Sequence, residues 1–257
     1  FQAETYGYDK YLGGCHMIPN HAIIILSLLF GDDDLQKTLM IVNTAGHDTD
    51  CNSGNVGCIM GIKNGLEGLR NGPDYLTPIQ DRMYCPTANG GETQTDALTE
   101  AYKVINTAKK MNKEETVEPK NGSRFHFEMP GSVQGWRSSF KNNKNISTIV
   151  QNTEYESSIG KRALEIKFDR VAPGVCSEAV VDTFFPQELY ELTGSARERF
   201  FQSYNFISCP LLYSGQNIES EIIFKSNSQK PITVTCFINV FGEEDNYERI
   251  NLSLIHI

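Results

Sequence analysis

The chain has 257 residues and carries 23 Lys and Arg against 32 Asp and Glu, a formal net charge of -9 at pH 7. This charge excludes a broad nucleic-acid-binding surface, because such surfaces depend on clustered basic side chains. The longest apolar run, residues 22–30, is far shorter than the roughly 20 residues that a bilayer helix needs. Seven cysteines without a CxxC pair favour a reducing compartment, so we expect a cytoplasmic protein that does not contact the membrane.

The first part of the chain, residues 1–115, shows the 3.6-residue apolar period of helices. Four helices are predicted, over residues 21–30, 35–45, 52–69 and 95–110. Asn20 is in position to cap the first helix, and Asp33 or Asp34 is in position to cap the second. The sequence therefore predicts an all-α region.

Glycines recur at three- and four-residue spacing along the third predicted helix, at Gly54, Gly57, Gly61 and Gly65. A glycine inside a helix costs about 0.5–1 kcal/mol relative to Ala. A stripe of small residues can offset this cost by letting another helix approach closely. We therefore expect a tightly packed central helix, with Cys58 buried on it.

From about residue 117 the apolar period changes to two, which is typical of strands. Strands are predicted over residues 125–127, 146–149, 163–168, 179–185, 218–224 and 232–241. We expect a linker over residues 116–123 and an antiparallel β-sandwich over residues 124–251. Strand alternation predicts that His126, between two phenylalanines, lies on the surface.

The two ends of the sequence carry information of their own. The last six residues, 252–257, read LSLIHI, which resembles the translation of a sequencing adapter. We expect them not to belong to the native fold. The first residue is Phe1 rather than Met, so we expect the natural start to lie upstream.

The segment richest in chemical groups joins the second and third predicted helices, and it runs His47, Asp48, Thr49, Asp50, Cys51, Asn52. Two carboxylates one residue apart in a turn can converge on one point, where oxygen ligands suit Mg²⁺, Mn²⁺ or Ca²⁺ rather than zinc. The alternative is that one carboxylate caps the helix and the other interacts with its dipole. The Thr49 hydroxyl and the Asn52 amide add more oxygen groups than a cap needs, and His47 either contacts a phosphate or faces solvent.

This segment, together with residues 16–20, 28–37 and 78–91, resembles the ADP-ribosylglycohydrolase family, whose members share a G-x-D-T-D-(T/S/C)-N type of motif before a small-residue helix. The resemblance covers roughly the first 110 residues. It implies that residues 1–115 are the C-terminal part of an all-α catalytic domain. It also implies two divalent ions, usually Mg²⁺, that orient an ADP-ribosyl group for hydrolysis at the ribose anomeric carbon.

The resemblance makes Asp48 and Asp50 metal ligands, with Mg²⁺ expected and Mn²⁺ as an alternative. Cys51 stands where many members have a ligating Thr or Ser, and a thiol is a poor ligand for Mg²⁺. The other ligands of the family, a Glu and a T-D-D stretch, belong to its N-terminal part, and no T-D-D occurs here, so we expect them and the catalytic acid or base upstream of Phe1. The 257-residue chain alone is then expected to be inactive.

The second half resembles, less closely, jelly-roll modules that bind galactose or other carbohydrates. Its aromatic side chains would either stack on a sugar or pack in the sandwich. Two functions follow as hypotheses. The first is metal-dependent hydrolysis of an ADP-ribosylated substrate or an ADP-ribose-like small molecule. The alternative is a non-catalytic protein that recognises carbohydrate or ADP-ribose.

Overall fold

In the computed structural model, the described residues are 2–76, 78–79, 81–84, 92, 94–139, 147–169, 172, 174, 176–184, 192–203, 210–228, 230–241 and 247–256. The chain divides into two compact units, residues 1–212 and 213–257. Helices and antiparallel strands occur together, so the chain has the predicted mixture of α and β structure. None of the described helices has the length and apolar character needed to cross a bilayer.

Six α-helices lie in the described residues: α1 Gln2–Tyr6, α2 Met17–Phe30, α3 Leu35–Thr44, α4 Thr49–Arg70, α5 Ala97–Met111 and α6 Gly194–Ser203. A short 3₁₀ helix covers Pro119–Gly122. Helices α3 and α5 lie close to their predicted positions. Helix α4 begins earlier than predicted, within the acidic segment itself.

The helices α2, α3 and α4 pack around one small apolar core. Its buried side chains are Ile23, Leu35, Val42, Val56 and Met60. Leu35 and Val42 lie seven residues apart on α3, and Val56 and Met60 lie four apart on α4, so each pair lies on one face of its helix. This core fixes the end of α3 against the start of α4, where the acidic segment lies.

Two helices are each capped by the acidic residue directly before them, and one of these two caps was predicted. Asp34 caps α3, since its carboxylate accepts a hydrogen bond from the Lys37 backbone N–H at 2.6 Å. Asp96 caps α5 in the same way, accepting from the Thr99 N–H at 2.8 Å. In both cases a short acidic side chain satisfies a donor that the helix leaves unpaired.

The prediction that Asn20 caps α2 is wrong. The helix begins at Met17, so Asn20 lies inside its first turns, and its side-chain amide donates to the His16 carbonyl at 2.9 Å. Pro19 is tolerated there because the first N–H groups of a helix have no intrahelical acceptor. The side chain of Asn20 is instead available to contact another helix.

The prediction of a tightly packed glycine stripe on α4 is also wrong. A Cβ at Gly54, Gly61 or Gly65 would meet no atom within 4 Å, and at Gly57 it would just reach Leu39 at 4.0 Å. Helix α3 packs against a different row of side chains on α4. Within the described part of the chain, no element therefore covers the glycine stripe. Cys58, expected to be buried, is exposed on the same helix.

The strands are short and pair two by two. They are β1 Met83–Tyr84, β2 Gln94–Thr95, β3 Arg137–Ser138, β4 Ser147–Glu154, β5 Arg162–Asp169, β6 Ala179–Val180, β7 Thr233–Phe241 and β8 Tyr247–His256. The antiparallel pairs are β1 with β2, β3 with β6, β4 with β5, and β7 with β8. Within the described residues each sheet therefore has two strands. Strand β8 runs through residues 252–256, which the sequence assigned to a non-native tail.

Three of the predicted strands fall in β4, β5 and β7. Residues 218–224 form no strand, although they alternate in the sequence. Residues 125–127 form none either, because Phe127 adopts a left-handed backbone with φ 57° that ends the extended chain. Of the predicted strand over residues 179–185, only β6 Ala179–Val180 forms, and residues 146 and 185 lie outside the described residues.

The prediction that His126 lies on the surface is wrong, since it is only 5% exposed. Its Nδ1 accepts a hydrogen bond from the Glu128 N–H at 3.2 Å, and its ring meets the edge of Tyr102 at 5.3 Å. The bend at Phe127 turns the imidazole inward instead of out of a strand. Burial lowers the pKa of His126, which keeps the ring neutral.

A buried polar network lies beside His126. The carboxylate of Asp81 accepts hydrogen bonds from the Ser132 hydroxyl and the Gln134 N–H, and Gln134 in turn donates to Asp96 at 3.4 Å. Burial raises the pKa of Asp81. The network joins residues before and after segment 116–123, all within the first unit.

Candidate metal centre at the start of α4

The chain turns sharply between α3 and α4. Gly46 and His47 both have left-handed backbones, with φ 84° and 57°, and Asp48 follows with φ -84° before α4 begins at Thr49. Glycine adopts this conformation without strain. At His47 the same conformation is strained, and the surrounding contacts must offset the strain. The turn places the two acidic side chains on either side of the first helical residue.

Asp48 and Asp50 converge as the sequence predicts, and Cys51 joins them. One ligand atom from each of these three side chains lies within 4.8 Å of the other two. Asp48 is half-buried, while Asp50 and Cys51 are exposed. In the part of the chain that the structure describes, this is the one group of three or more His, Cys, Asp or Glu with such spacing. Asp48 is the N-cap residue of α4 and makes no side-chain hydrogen bond of regular capping geometry. An interaction with the Cys51 backbone N–H is nevertheless among the causes that lower its pKa, so the capping role stands beside the metal role.

A second thiol approaches the same carboxylate from the loop before α2. Hydrogen bonding to Asp48 raises the pKa of Cys15 and also that of Cys51, because the carboxylate binds the protonated thiol and repels the thiolate. Hydrogen bonding with Cys15, and then with Asp50 and Cys51, lowers the pKa of Asp48. Asp48 is therefore ionised near neutral pH, with thiols as its neighbours.

The bend is anchored from α2 by Asn20. Its side-chain oxygen accepts hydrogen bonds from the Asp48 N–H at 3.2 Å and from the Asn52 side-chain amide at 2.9 Å. Asn52, a predicted ligand or pocket residue, is buried and serves this anchor. Thr49, the other predicted oxygen donor, begins the helix and its carbonyl accepts a hydrogen bond from the Ser53 hydroxyl.

His47 lies against an aromatic ring. The Tyr8 ring lies 5.3 Å from His47 and 5.0 Å from His16, measured between ring centroids. The buried Nδ1 of His47 and both ring nitrogens of His16 have no hydrogen-bond partner among the described residues. Tyr8, Cys15 and Asn20 were not predicted as parts of this centre, because nothing in their sequence spacing connects them to Asp48.

The ligand atoms of Asp48, Asp50 and Cys51 fit a divalent cation only in part. Two carboxylates suit a hard cation such as Mg²⁺ or Mn²⁺, which keeps several waters in proteins. The Cys51 thiol does not fit Mg²⁺, and its raised pKa favours the protonated form that binds metals poorly. Asp48, Asp50 and Cys51 together form a group that could hold one metal ion.

Comparisons with protein-family models, curated proteins and solved structures found no match for this chain. The segments behind the family resemblance can still be placed in the structure. Residues 16–20 contain Asn20, which anchors the bend, and residues 28–37 contain Asp34, which caps α3. Residues 77, 80 and 85–91, which include most of the last segment, lie outside the described residues.

Proposed function

We propose that Asp48 and Asp50 hold a divalent cation, Mg²⁺ or Mn²⁺, for the hydrolysis of an ADP-ribosyl bond at the ribose anomeric carbon. The observation that carries the proposal is the convergence of Asp48, Asp50 and Cys51 within 4.8 Å at a helix start. The low pKa of Asp48 supports it, because a charged carboxylate is what a cation requires. The family resemblance supplies the choice of substrate class.

The residues of the chain have separate roles in this proposal. Asp48 and Asp50 would hold the cation, and the anchor from Asn20 keeps the backbone of Asp48 in place. A bound divalent cation supplies charge stabilisation, activation of water and orientation of the substrate diol. The carboxyl group that moves the proton is expected from a segment upstream of Phe1, as the resemblance implies.

The cation part is tested by thermal unfolding of the 257-residue chain with and without Mg²⁺ or Mn²⁺. We expect the midpoint to rise with either ion, because a ligand that binds only the folded state stabilises it. Asp50→Asn should abolish the rise, and Glu115→Gln, which changes an exposed carboxylate in the chain after α5, should preserve it. A rise that survives Asp50→Asn would overturn the assignment of the cation to this bend.

The hydrolytic part is tested by release of ADP-ribose from an ADP-ribosylated peptide. The longer parent protein should release it with Mg²⁺, and its Asp50→Asn variant should not. The 257-residue chain alone should be inactive, so release by this chain would contradict the proposal that essential groups lie upstream. Because cation binding and turnover are measured separately, each part can fail on its own.

One observation favours a second function, binding of ADP-ribose or carbohydrate without turnover. Two protonated thiols, Cys15 and Cys51, interact with the carboxylate that would have to bind the metal. In this second function, the site would bind ADP-ribose without a complete set of metal ligands. Saturable ADP-ribose binding by the parent protein, unaffected by a chelator and without hydrolysis, would favour this function over the first.

The jelly-roll arrangement of residues 124–251 and its binding of carbohydrate remain part of the same proposal. The antiparallel pairs β4 with β5 and β7 with β8 support the antiparallel β part of this proposal, and the resemblance alone supplies the carbohydrate. Binding of the chain to galactose-type and glucan resins, eluted by the free sugar, tests this role. Passage through both resins without retention would count against it.

A further inference from the structure

A cavity of ≈ 460 Å³ lies in the first unit, among residues 78–182, and contains none of the residues at the start of α4. It is formed by the β1–β2 pair, the start of α5, residues 124–125 and the chain after β6. Its volume is within the range of pockets for small molecules. The lining side chains that decide its chemistry are Ile79, Asp96, Arg124, Phe125, Val181 and Asp182.

One wall of this cavity is apolar. Ile79, Phe125 and Val181 line it, and the Phe125 ring meets the indole of Trp136 edge to face at 5.9 Å. Rings and aliphatic side chains of this kind bind the flat or apolar body of a ligand. Because Trp136 is the single tryptophan of the chain, its fluorescence reports on this wall.

The two carboxylates that line the cavity are already engaged. Asp182 pairs with Arg82 at 3.0 Å and with Arg137 at 3.1 Å. Asp96 is buried, caps α5 through the Thr99 N–H and hydroxyl, and accepts from Gln134. Neither is therefore available to bind a cationic ligand without breaking contacts that hold the fold.

Arg124 differs from these groups. Its guanidinium donates to the neutral carbonyl of Gln94 at 3.0 Å and lies 5.5 Å from the Phe125 ring centre. Among the described side chains no carboxylate pairs with it. A guanidinium has five N–H donors in a planar fork that matches a carboxylate or phosphate. The cavity thus places a cation with spare donors beside an apolar wall.

The backbone that carries Arg124 and Phe125 is held in place. The buried side chain of Gln134 donates to the Arg124 carbonyl at 3.1 Å and accepts from the Phe127 N–H at 2.9 Å. Such preorganisation lowers the cost of ordering the site when a ligand binds. The backbone of Arg124 and Phe125 is therefore fixed before a ligand binds.

We propose that this cavity binds a small organic anion, whose phosphate or carboxylate pairs with Arg124 and whose ring lies against Phe125 and Ile79. The proposal is independent of the metal centre, since the two sites share no residue. The shared chemistry is an anionic group attached to a planar apolar body. The anionic group is either a phosphate, for which phenyl phosphate is the probe, or a carboxylate, for which benzoate is the probe.

The test is calorimetric titration of the 257-residue chain with phenyl phosphate, benzoate and inorganic phosphate, in parallel with Trp136 fluorescence. We expect phenyl phosphate or benzoate to bind saturably and to change the fluorescence, and inorganic phosphate to bind more weakly. Arg124→Gln should weaken binding about tenfold or more, because a charge-assisted hydrogen bond is lost. Arg124 is exposed, so this variant should melt like the wild type.

Arg197→Gln is the matched control. Arg197 is also exposed and lies 4.9 Å from the ring of Phe201, but it does not line the cavity. The affinity of the Arg197→Gln variant for phenyl phosphate and benzoate should equal that of the wild type. Any one of three results would overturn the proposal. These are that neither ring anion binds, that both arginine variants lose the same affinity for the ring anions, or that inorganic phosphate binds as tightly as the ring anions. If benzoate alone binds, the ligand of this cavity carries a carboxylate. If phenyl phosphate alone binds, it carries a phosphate.

Discussion

The side-chain oxygen of Asn20 on α2 accepts a hydrogen bond from the side-chain amide of Asn52 on α4, at 2.9 Å. The same oxygen accepts from the Asp48 N–H. One amide therefore satisfies two donors across a helix interface, in a region with few alternatives for either. This contact connects the small helical core to the acidic bend.

The first prediction concerns this anchor. Asn20→Ala removes the acceptor and leaves two donors without a partner, so we expect a loss of about 2–3 kcal/mol in the free energy of unfolding. Urea unfolding measures it. Asn55→Ala, on the exposed side of α4, should change the free energy of unfolding by less than about 0.5 kcal/mol. Equal effects of the two substitutions would mean that the anchor contributes nothing specific.

The second prediction concerns the thiols beside Asp48. Since the carboxylate raises the pKa of Cys15 and Cys51, Asp48→Asn should lower both pKa values. Only the thiolate is alkylated, so the pH profile of alkylation should move to lower pH at both cysteines. Peptide mass spectrometry after iodoacetamide treatment, with a chelator present, measures each cysteine separately.

Cys58 is the internal control for this experiment, because it is exposed on the same helix outside the cluster. Its alkylation profile should be the same in the wild type and in Asp48→Asn. If the profiles of Cys15 and Cys51 also stay unchanged, the carboxylate does not contact the thiols in solution, and the geometry of the proposed metal centre is wrong.

The third prediction concerns pH and His126. Burial lowers the pKa of His126 below its ordinary value, and its neutral Nδ1 accepts from the Glu128 N–H. The unfolded chain therefore takes up a proton first as pH falls, and stability declines from about pH 6.5 down to the lower folded pKa. One proton accounts for at most about 1.4 kcal/mol per pH unit.

Urea unfolding between pH 7 and pH 5 measures this dependence. His126→Gln should be less stable at pH 7 and should have a smaller slope of stability against pH. His21→Gln, at an exposed position of α2, should keep the slope of the wild type. An unchanged slope in His126→Gln would show that another group is responsible.

The elements that the sequence predicts well are those with local causes. Asp34 caps α3 through a residue three positions on, and α3 itself lies close to its predicted range because its apolar period is local. The convergence of Asp48 and Asp50 also follows from two residues in one turn. These features depend on contacts within a few residues, for which periodicity and capping rules are informative.

The features that the sequence does not reveal depend on distant contacts. Asn20 looks like a cap, yet its partners lie 28 and 32 residues away. Cys15 approaches Asp48 from another loop, and no motif spacing connects them. His126 is buried because of a left-handed turn at Phe127 and a partner ring at Tyr102, neither of which alternation in the sequence reflects.

The last prediction uses two glycines of α4 that look equivalent in the sequence. Gly65 has φ 62° and ψ -164°, a conformation open essentially to glycine alone, and it kinks the helix. Gly61 lies in the regular part of the helix, and a Cβ there would meet no atom within 4 Å. Alanine should therefore have opposite effects at the two positions.

Gly61→Ala should stabilise the chain by about 0.5–1 kcal/mol, since it lowers the entropy of the unfolded chain without strain. Gly65→Ala should destabilise it by about 1–3 kcal/mol, the cost of a disfavoured backbone conformation. Urea unfolding of both variants under one condition measures the difference. Stabilisation by both substitutions would mean that α4 runs straight through residue 65, whereas destabilisation by both would mean that another element covers the stripe in solution.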